Sequence, residues 1–167
     1  NFRLLMARLL DHLKELDRQV GELAAEIQLW HRQNTASQRL AAIPGLGPLT
    51  ATALVASIGD ARNFKNGRQL AAWLGIVPRQ HSTGGKPTLL GISKRGDAYL
   101  RTLLIHGARA VIRTAERKPD ADPWLRQLLA RRNKNVAAVA LANKNARTIW
   151  ALLAHDREYQ ADYRMAA

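Results

Sequence analysis

The chain has 167 residues and no cysteine, with 26 Lys and Arg against 13 Asp and Glu, a net charge of +13. A disulfide scaffold, a thiolate zinc site and a thiol nucleophile are excluded, because the sulfur each needs is absent. No apolar run approaches the ~20 residues of a membrane span, and Asn1-Phe2-Arg3 lacks a signal peptide's apolar core, so the chain reads as cytoplasmic with no membrane partner.

Proline and glycine divide the chain. Four of six prolines and nine of eleven glycines fall between residues 44 and 96, so the two flanks read as helical and the middle as the place where the chain turns. The fold class this gives is mostly α: a long N-terminal coiled-coil helix over 1–36, a compact helical domain over 37–160, and a tail over 161–167. The start at Asn1 rather than Met reads as a fragment or a processed chain.

In the first segment Phe2, Met6, Leu9, Leu13, Leu16, Val20, Leu23, Ile27 and Trp30 alternate spacings of four and three without a break. This is the a/d seam of a left-handed coiled coil, with Met6, Leu13, Val20 and Ile27 at a. At ~1.5 Å per residue the helix is about 43 Å long. A seam this strict points to pairing within a hairpin or between chains, hence to a homo-oligomer, dimer or tetramer, because a helix packed on its own domain usually buries a broader stripe.

Next, Ile43-Pro44-Gly45-Leu46-Gly47-Pro48 leads into an apolar helical pattern, the spacing of a helix-hairpin-helix. Gly45 and Gly47 let the backbone turn tightly, and their N–H groups with the following helix N-terminus form an anion site suited to phosphate. Further helices are expected over about 50–58, 66–74, 95–116, 122–132 and 135–155, with Asp122 as N-cap and Pro123 at the first position of the fourth. A short extended pair around 76–78 and 88–90, joined by Gly84-Gly85, is the only strand signal.

Residues 60–135 hold 16 Lys and Arg against five Asp and Glu, +11 of the total +13. With an isoelectric point near 11, this is an electrostatic footprint for nucleic acid. Its densest part is the loop Arg79-Gln80-His81-Ser82-Thr83-Gly84-Gly85-Lys86, followed by Lys94, Arg95 and Arg101. Two hydroxyls among cations are what phosphoryl transfer needs: an oxygen nucleophile, and positive charge around the transition state. The same loop also reads as a basic surface that contacts phosphates and does no chemistry. Arg109, Arg113 and Arg117 recur every four residues and share a helix face, a second candidate contact. His81 adjoins Ser82, although neighbouring side chains on an extended loop point apart. Asp97 reads as a helix cap, His12, His31, His106 and His155 as structural, and Trp73, Trp124 and Trp150 as core.

The run from Pro78 to Lys86, followed by Gly91-Ile92-Ser93-Lys94-Arg95-Gly96-Asp97, Tyr99-Leu100-Arg101 and Leu103-Leu104-Ile105-His106-Gly107-Ala108-Arg109-Ala110, resembles the C-terminal half of transposases of the insertion-sequence 110/1111 family. The Ile43-Pro44-Gly45-Leu46-Gly47 hairpin and the helix before it stand where that family has them, and the likeness extends to about residue 155. The resemblance implies a DNA recombinase guided by a structured bridge or seek RNA, in which a serine of this domain attacks a DNA phosphodiester and becomes joined to it. It also implies an N-terminal RuvC-like domain, absent here, whose Asp/Glu cluster binds magnesium; no cofactor is expected in this chain, and alone it is expected to be inactive. In relatives the nucleophile directly precedes a glycine, the place of Thr83, while Ser82 is the loop's only serine, so Ser82 and Thr83 are both catalytic candidates. Arg79, Lys86, Lys94, Arg95, Arg101, Arg109 and Arg113, with Gly45 and Gly47, are the nucleic-acid candidates; the alternative is a non-catalytic helix-hairpin-helix module.

Overall fold

The computed structural model describes residues 1–83, 86–117 and 122–161, and the backbone alone of residues 81–83, 86, 87 and 89. In chain order it has helices α1 (Phe2–Gln33), α2 (Thr35–Ala41) and α3 (Pro48–Ile58), a 3-10 turn at Ala61–Asn63, and helix α4 (Gly67–Trp73). Strands β1 (Pro78–Thr83) and β2 (Lys86–Ile92) follow, then helices α5 (Ala98–Ala115), α6 (Pro123–Arg131) and α7 (Lys134–Ala154).

The helix ends follow local chemistry. Asn66, Asp97, Asp122 and Asn133 cap α4, α5, α6 and α7, each side chain accepting a backbone N–H of the first turn. Asp97 is therefore a cap, as expected, and Pro123 opens α6. The expected 1–36 helix ends earlier, because Asn34 adopts an extended conformation and its Oδ1 accepts from Ser37 N at 2.8 Å, starting α2. Nothing in the apolar pattern signalled α2 as a separate helix.

The two strands pair antiparallel, with Gln80 opposite Leu89, Ser82 opposite Pro87 and Thr83 opposite Lys86, and a bulge between Pro78 and Gln80. The basic segment read as a loop is thus a β-hairpin. Its strands run further toward Gly84-Gly85, which lie outside the described residues, than the expected 76–78 and 88–90. A segment so rich in polar residues has no apolar alternation to announce a strand.

The core forms around α7. One side of it, Ala137, Ala138, Leu141, Ala142, Ala146, Ile149 and Leu152, is buried against residues such as Leu40, Leu70, Leu100 and Leu104. Gly67 lets α4 approach α7 closely: a Cβ on it would lie 2.8 Å from the Cα of Arg147. Three side chains of α7 also donate to carbonyls of connecting segments, Asn145 Nδ2 to Pro44 O (3.3 Å), Asn143 Nδ2 to Ile76 O (3.1 Å) and Trp150 Nε1 to Phe64 O (3.0 Å). Each satisfies a backbone group that no helix or strand engages. Trp124 and Trp150 pack on the core as expected. Trp73 does not join it: the side chain is 37% exposed, with its ring edge-to-face on Phe64 at 5.5 Å.

α1 stands apart from this core. None of its residues is buried, and only Ile27 and His31 are half-buried, where its last turns meet α3 and α2. His31 Nδ1 lies 2.7 Å from Ser37 Oγ, a structural contact.

Candidate nucleic-acid interface

The β-hairpin leaves the core through a neck in which two backbones cross. Lys94 N donates to Gly75 O (3.0 Å) and Ser93 N to Val77 O (2.9 Å). The approach is so close that a Cβ on Gly75 would lie 2.3 Å from Arg95 O, and one on Gly96 would lie 1.9 Å from Trp73 O. Both glycines have positive φ, +73° and +124°, so size and backbone conformation together exclude a side chain. Lys94 is also left-handed, at φ 54°, a sparsely populated conformation for a lysine that the neck bonds hold in place. Arg101 of α5 reaches back, its Nη1 donating to Leu74 O at 3.2 Å. The carbonyl at the end of α4 is thereby satisfied, and the neck is tied to α5.

The hairpin loop between α2 and α3 uses its two glycines differently. Gly45, at φ +90°, packs on Gly107 of α5, and a Cβ there would lie 2.7 Å from Gly107 O. Gly47 is the N-cap of α3 with Pro48 after it; a Cβ on it would meet nothing within 4 Å. No side chain caps α3, so at this end the helix dipole and first N–H groups have no side-chain acceptor.

Arg79, Lys94 and Arg95 are exposed around the hairpin and its neck, whereas Arg101 is half-buried. Arg109 and Arg113 are exposed on α5, and Arg109 Nη2 donates to Asn135 Oδ1 at 3.3 Å. Arg117 falls beyond the end of α5, so the expected three-residue face is carried by Arg109 and Arg113. The backbones of Ser82, Thr83 and Lys86 are in strands, and their side chains, with that of His81, lie outside the described residues. Among the described residues no three His, Asp or Glu side chains come together in a way that could hold a metal ion. No helix there is long and apolar enough to cross a membrane.

Sequence reasoning missed Gly107, against which Gly45 packs, and Asn143 and Asn145, which hold the segments on either side of the site. A signal existed for the asparagines, since Asn is disfavoured in a helix interior unless its amide has a local task. Ser93 was quoted only within a motif. Its Oγ is buried and has no hydrogen-bond partner among the described residues, a rare state for a hydroxyl.

Fold and site together define a strongly basic helical domain that raises a polar β-hairpin from its core on a glycine-built neck. Comparison with known proteins narrows this. Residues 37–129 match the family described as Transposase IS116/IS110/IS902. The chain is 57% identical over 157 residues to a probable family 20 transposase of Pseudomonas aeruginosa, a match covering 93% of this chain and 46% of that protein. It is 51% identical over 145 residues to the transposase for insertion sequence element IS1111A of Coxiella burnetii (86% and 40%). With the transposase for IS1328 of Yersinia enterocolitica it shares 43% over 147 residues (87% and 44%). The chain belongs to the IS116/IS110/IS902 transposase family, and it spans less than half the length of these relatives.

Proposed function

We propose that this chain is the part of a DNA transposase that supplies the hydroxyl nucleophile for strand cleavage and exchange. The observation that supports the reading is the β1–β2 pair: the backbones of Ser82 and Thr83 lie in β1 opposite Pro87 and Lys86, above a neck closed by Gly75 and Gly96, in a chain of the transposase family. In the reaction the attacking Oγ forms a bond to phosphorus, the deoxyribose oxygen leaves, and the hydroxyl proton ends on that oxygen. The strand end stays joined to the protein until a second DNA hydroxyl reverses the step. Charge on the phosphorane is offset by cations, and among the residues whose side chains are described Arg79, Lys94 and Arg95 are the exposed cations nearest in the chain. Magnesium and a structured guide RNA are partners that the family resemblance implies, and this chain's described residues offer no ligand set for the metal.

A second reading has its own support. The α3 N-terminus, free of any side-chain cap and next to Gly47, is suited to a DNA or RNA phosphate as in helix-hairpin-helix modules that bind and do no chemistry. Denaturing gels of labelled DNA separate the two, using the full-length protein with its RNA and magnesium. A covalent protein–DNA species is expected for the wild type. It should vanish in Ser82→Ala or in Thr83→Ala, whichever removes the nucleophile. Persistence of the adduct in the double variant rules out this hairpin as its source, and absence of any adduct favours the binding module.

A further inference from the structure

Two of the tryptophans in the compact domain have their indoles engaged. Trp150 donates Nε1–H to Phe64 O at 3.0 Å, and Trp124 lies under the Lys144 ammonium, 4.4 Å from the ring centroid. Trp73 has neither kind of partner among the described residues, and it is 37% exposed. We propose that Trp73 is a stacking platform for an unpaired base of the DNA strand that passes the hairpin. The inference rests on the reading of this chain as the part of a transposase that handles a DNA strand.

The ring is both held and open. Its contact with Phe64, edge-to-face at 5.5 Å and 61°, covers at most one face of the indole. Phe64 is fixed in turn through its carbonyl, which accepts from Trp150 of α7. The carbonyl of Trp73 packs on Gly96 at the neck, where a Cβ would lie 1.9 Å away. A ring fixed on two sides gives up little freedom when a base stacks on it. The packing of α4 on the core uses Gly67, Leu70 and Ala71 and does not need an indole at position 73.

Charge around the ring suits the phosphates that a base brings with it. Gln69 stands one turn before Trp73 on α4, and its Oε1 accepts from Lys65 N at 2.5 Å, which brings Lys65 to the Trp73 face of the helix. On the neck side Arg95 adjoins Gly96. Both cations are exposed, and neither forms an ion pair among the described residues. The only acids between residues 60 and 101 are Asp60 and Asp97. Asp60 pairs with Arg62 at 2.9 Å, and Asp97 caps α5 by accepting Leu100 N at 2.9 Å, so both carboxylates are already engaged. An aromatic face flanked by cations is the composition of single-strand sites, where the ring takes a base and the cations follow the backbone.

Duplex DNA offers such a ring no base face, because neighbouring pairs cover one another. A face opens only where the strand leaves its partner, and strand exchange requires that step, since a base must quit one partner before it pairs with another. The six residues of β1 extend about 20 Å at ~3.3 Å each, the length of roughly six stacked nucleotides at ~3.4 Å each. One strand can therefore run from Trp73 at the foot of the neck to the segment that bears Ser82 and Thr83.

Anisotropy titrations of the full-length protein, without added RNA, on oligo-dT, oligo-rU and a DNA duplex of the same length test the platform. Trp73→Leu should weaken oligo-dT binding roughly 5- to 160-fold, the range of base–aromatic stacking, with the salt slope and the duplex affinity unchanged. Trp73→Phe keeps a π face and should retain most of the affinity. Arg95→Ala should lower the oligo-dT salt slope by about 0.7, the share of one phosphate on a single strand. Unchanged oligo-dT affinity in Trp73→Leu, or an equal loss on duplex, overturns the platform, and a loss confined to oligo-rU overturns its assignment to DNA. Where Trp73→Leu lowers the unfolding temperature, photo-cross-linking of the unsubstituted protein to oligo-dT carrying 5-iodouracil decides: the cross-link should map to Trp73, and cross-links at other residues alone refute the site. Oligo-dT binding needs no strand cleavage, so a platform that fails here and a nucleophile that fails in the denaturing gels are told apart.

Discussion

Gly45 and Gly47 stand two residues apart and are glycine for different reasons. At Gly45 a methyl group would collide with the Gly107 carbonyl, and its φ of +90° is disfavoured for any L side chain. With overpacking at ~1–3 kcal/mol and a left-handed backbone at ~1–2 kcal/mol, Gly45→Ala should cost about 2–5 kcal/mol in denaturant unfolding. Gly47 has φ −82° and open space around it, so Gly47→Ala should cost no more than about 1 kcal/mol, the loss of a tolerable N-cap. If Gly47→Ala weakens DNA binding at unchanged stability, the backbone there approaches phosphate; unchanged binding removes that contact from the list. Ser93 makes a complementary case. Removing an unpartnered buried hydroxyl should leave stability unchanged or slightly raised in Ser93→Ala. Loss of strand cleavage in that stable variant would bring Ser93 into the chemistry.

At the level of elements, the neck of the hairpin separates two arginines that look alike in the sequence. Arg101 is committed to the Leu74 carbonyl, whereas Arg79 is exposed on β1. Arg101→Ala should therefore lower hydrogen-exchange protection across β1 and β2 by about tenfold, the equivalent of ~1.4 kcal/mol of local stability. Arg79→Ala should leave that protection intact and weaken nucleic-acid binding. The same protection in both variants would mean that Arg101 is not a tie. In α1 the Glu15 carboxyl is held down at about 2 by Arg18 first and Gln19 second. Its folded pKa lies below the unfolded value of ~4.3, so its contribution to the helix is full above about pH 4.3 and is lost as pH falls through about 2. Helix content by circular dichroism should depend on pH in that acid window, with Glu15→Gln removing part of the dependence. Helices announced themselves in the sequence through caps and apolar period, and Asp97, Asp122 and Pro123 stand where the pattern put them. The strands announced themselves only in part, as a short pair around 76–78 and 88–90, because a hairpin held at its neck by glycines owes the rest of its shape to crossings between residues some 20 apart, such as Gly75 with Arg95 and Gly96 with Trp73, which no local pattern records.

For the whole molecule, the basic excess gives a measurable slope. Each Lys or Arg that meets a phosphate of duplex DNA contributes about 0.9 to the dependence of log affinity on log salt, so Arg113→Ala should lower the slope by about that amount if Arg113 is such a contact. An unchanged slope would return it to the solvated surface. Charge alone pointed to nucleic acid as the partner class, a proposal that this slope tests. The family was legible from the run between Pro78 and Ala110, and residues 37–129 match it. What could not be read is how distant segments are held together: Asn145 with Pro44, Trp150 with Phe64 and Asn143 with Ile76 join residues 101, 86 and 67 positions apart. Those three bonds all have their donors on α7, the last helix described, and this sets a clock during synthesis. At ~5–20 residues per second, a ribosome that has made the Pro44 turn needs about 5–20 s more to make the asparagine that fixes it. Until then the neck and the hairpin lack their anchor. A nascent chain bearing the cations of residues 60–135 and the candidate hydroxyls of Ser82 and Thr83 would for that interval be unable to hold them in place, so nucleic acid met during translation would find charge without the assembled fold.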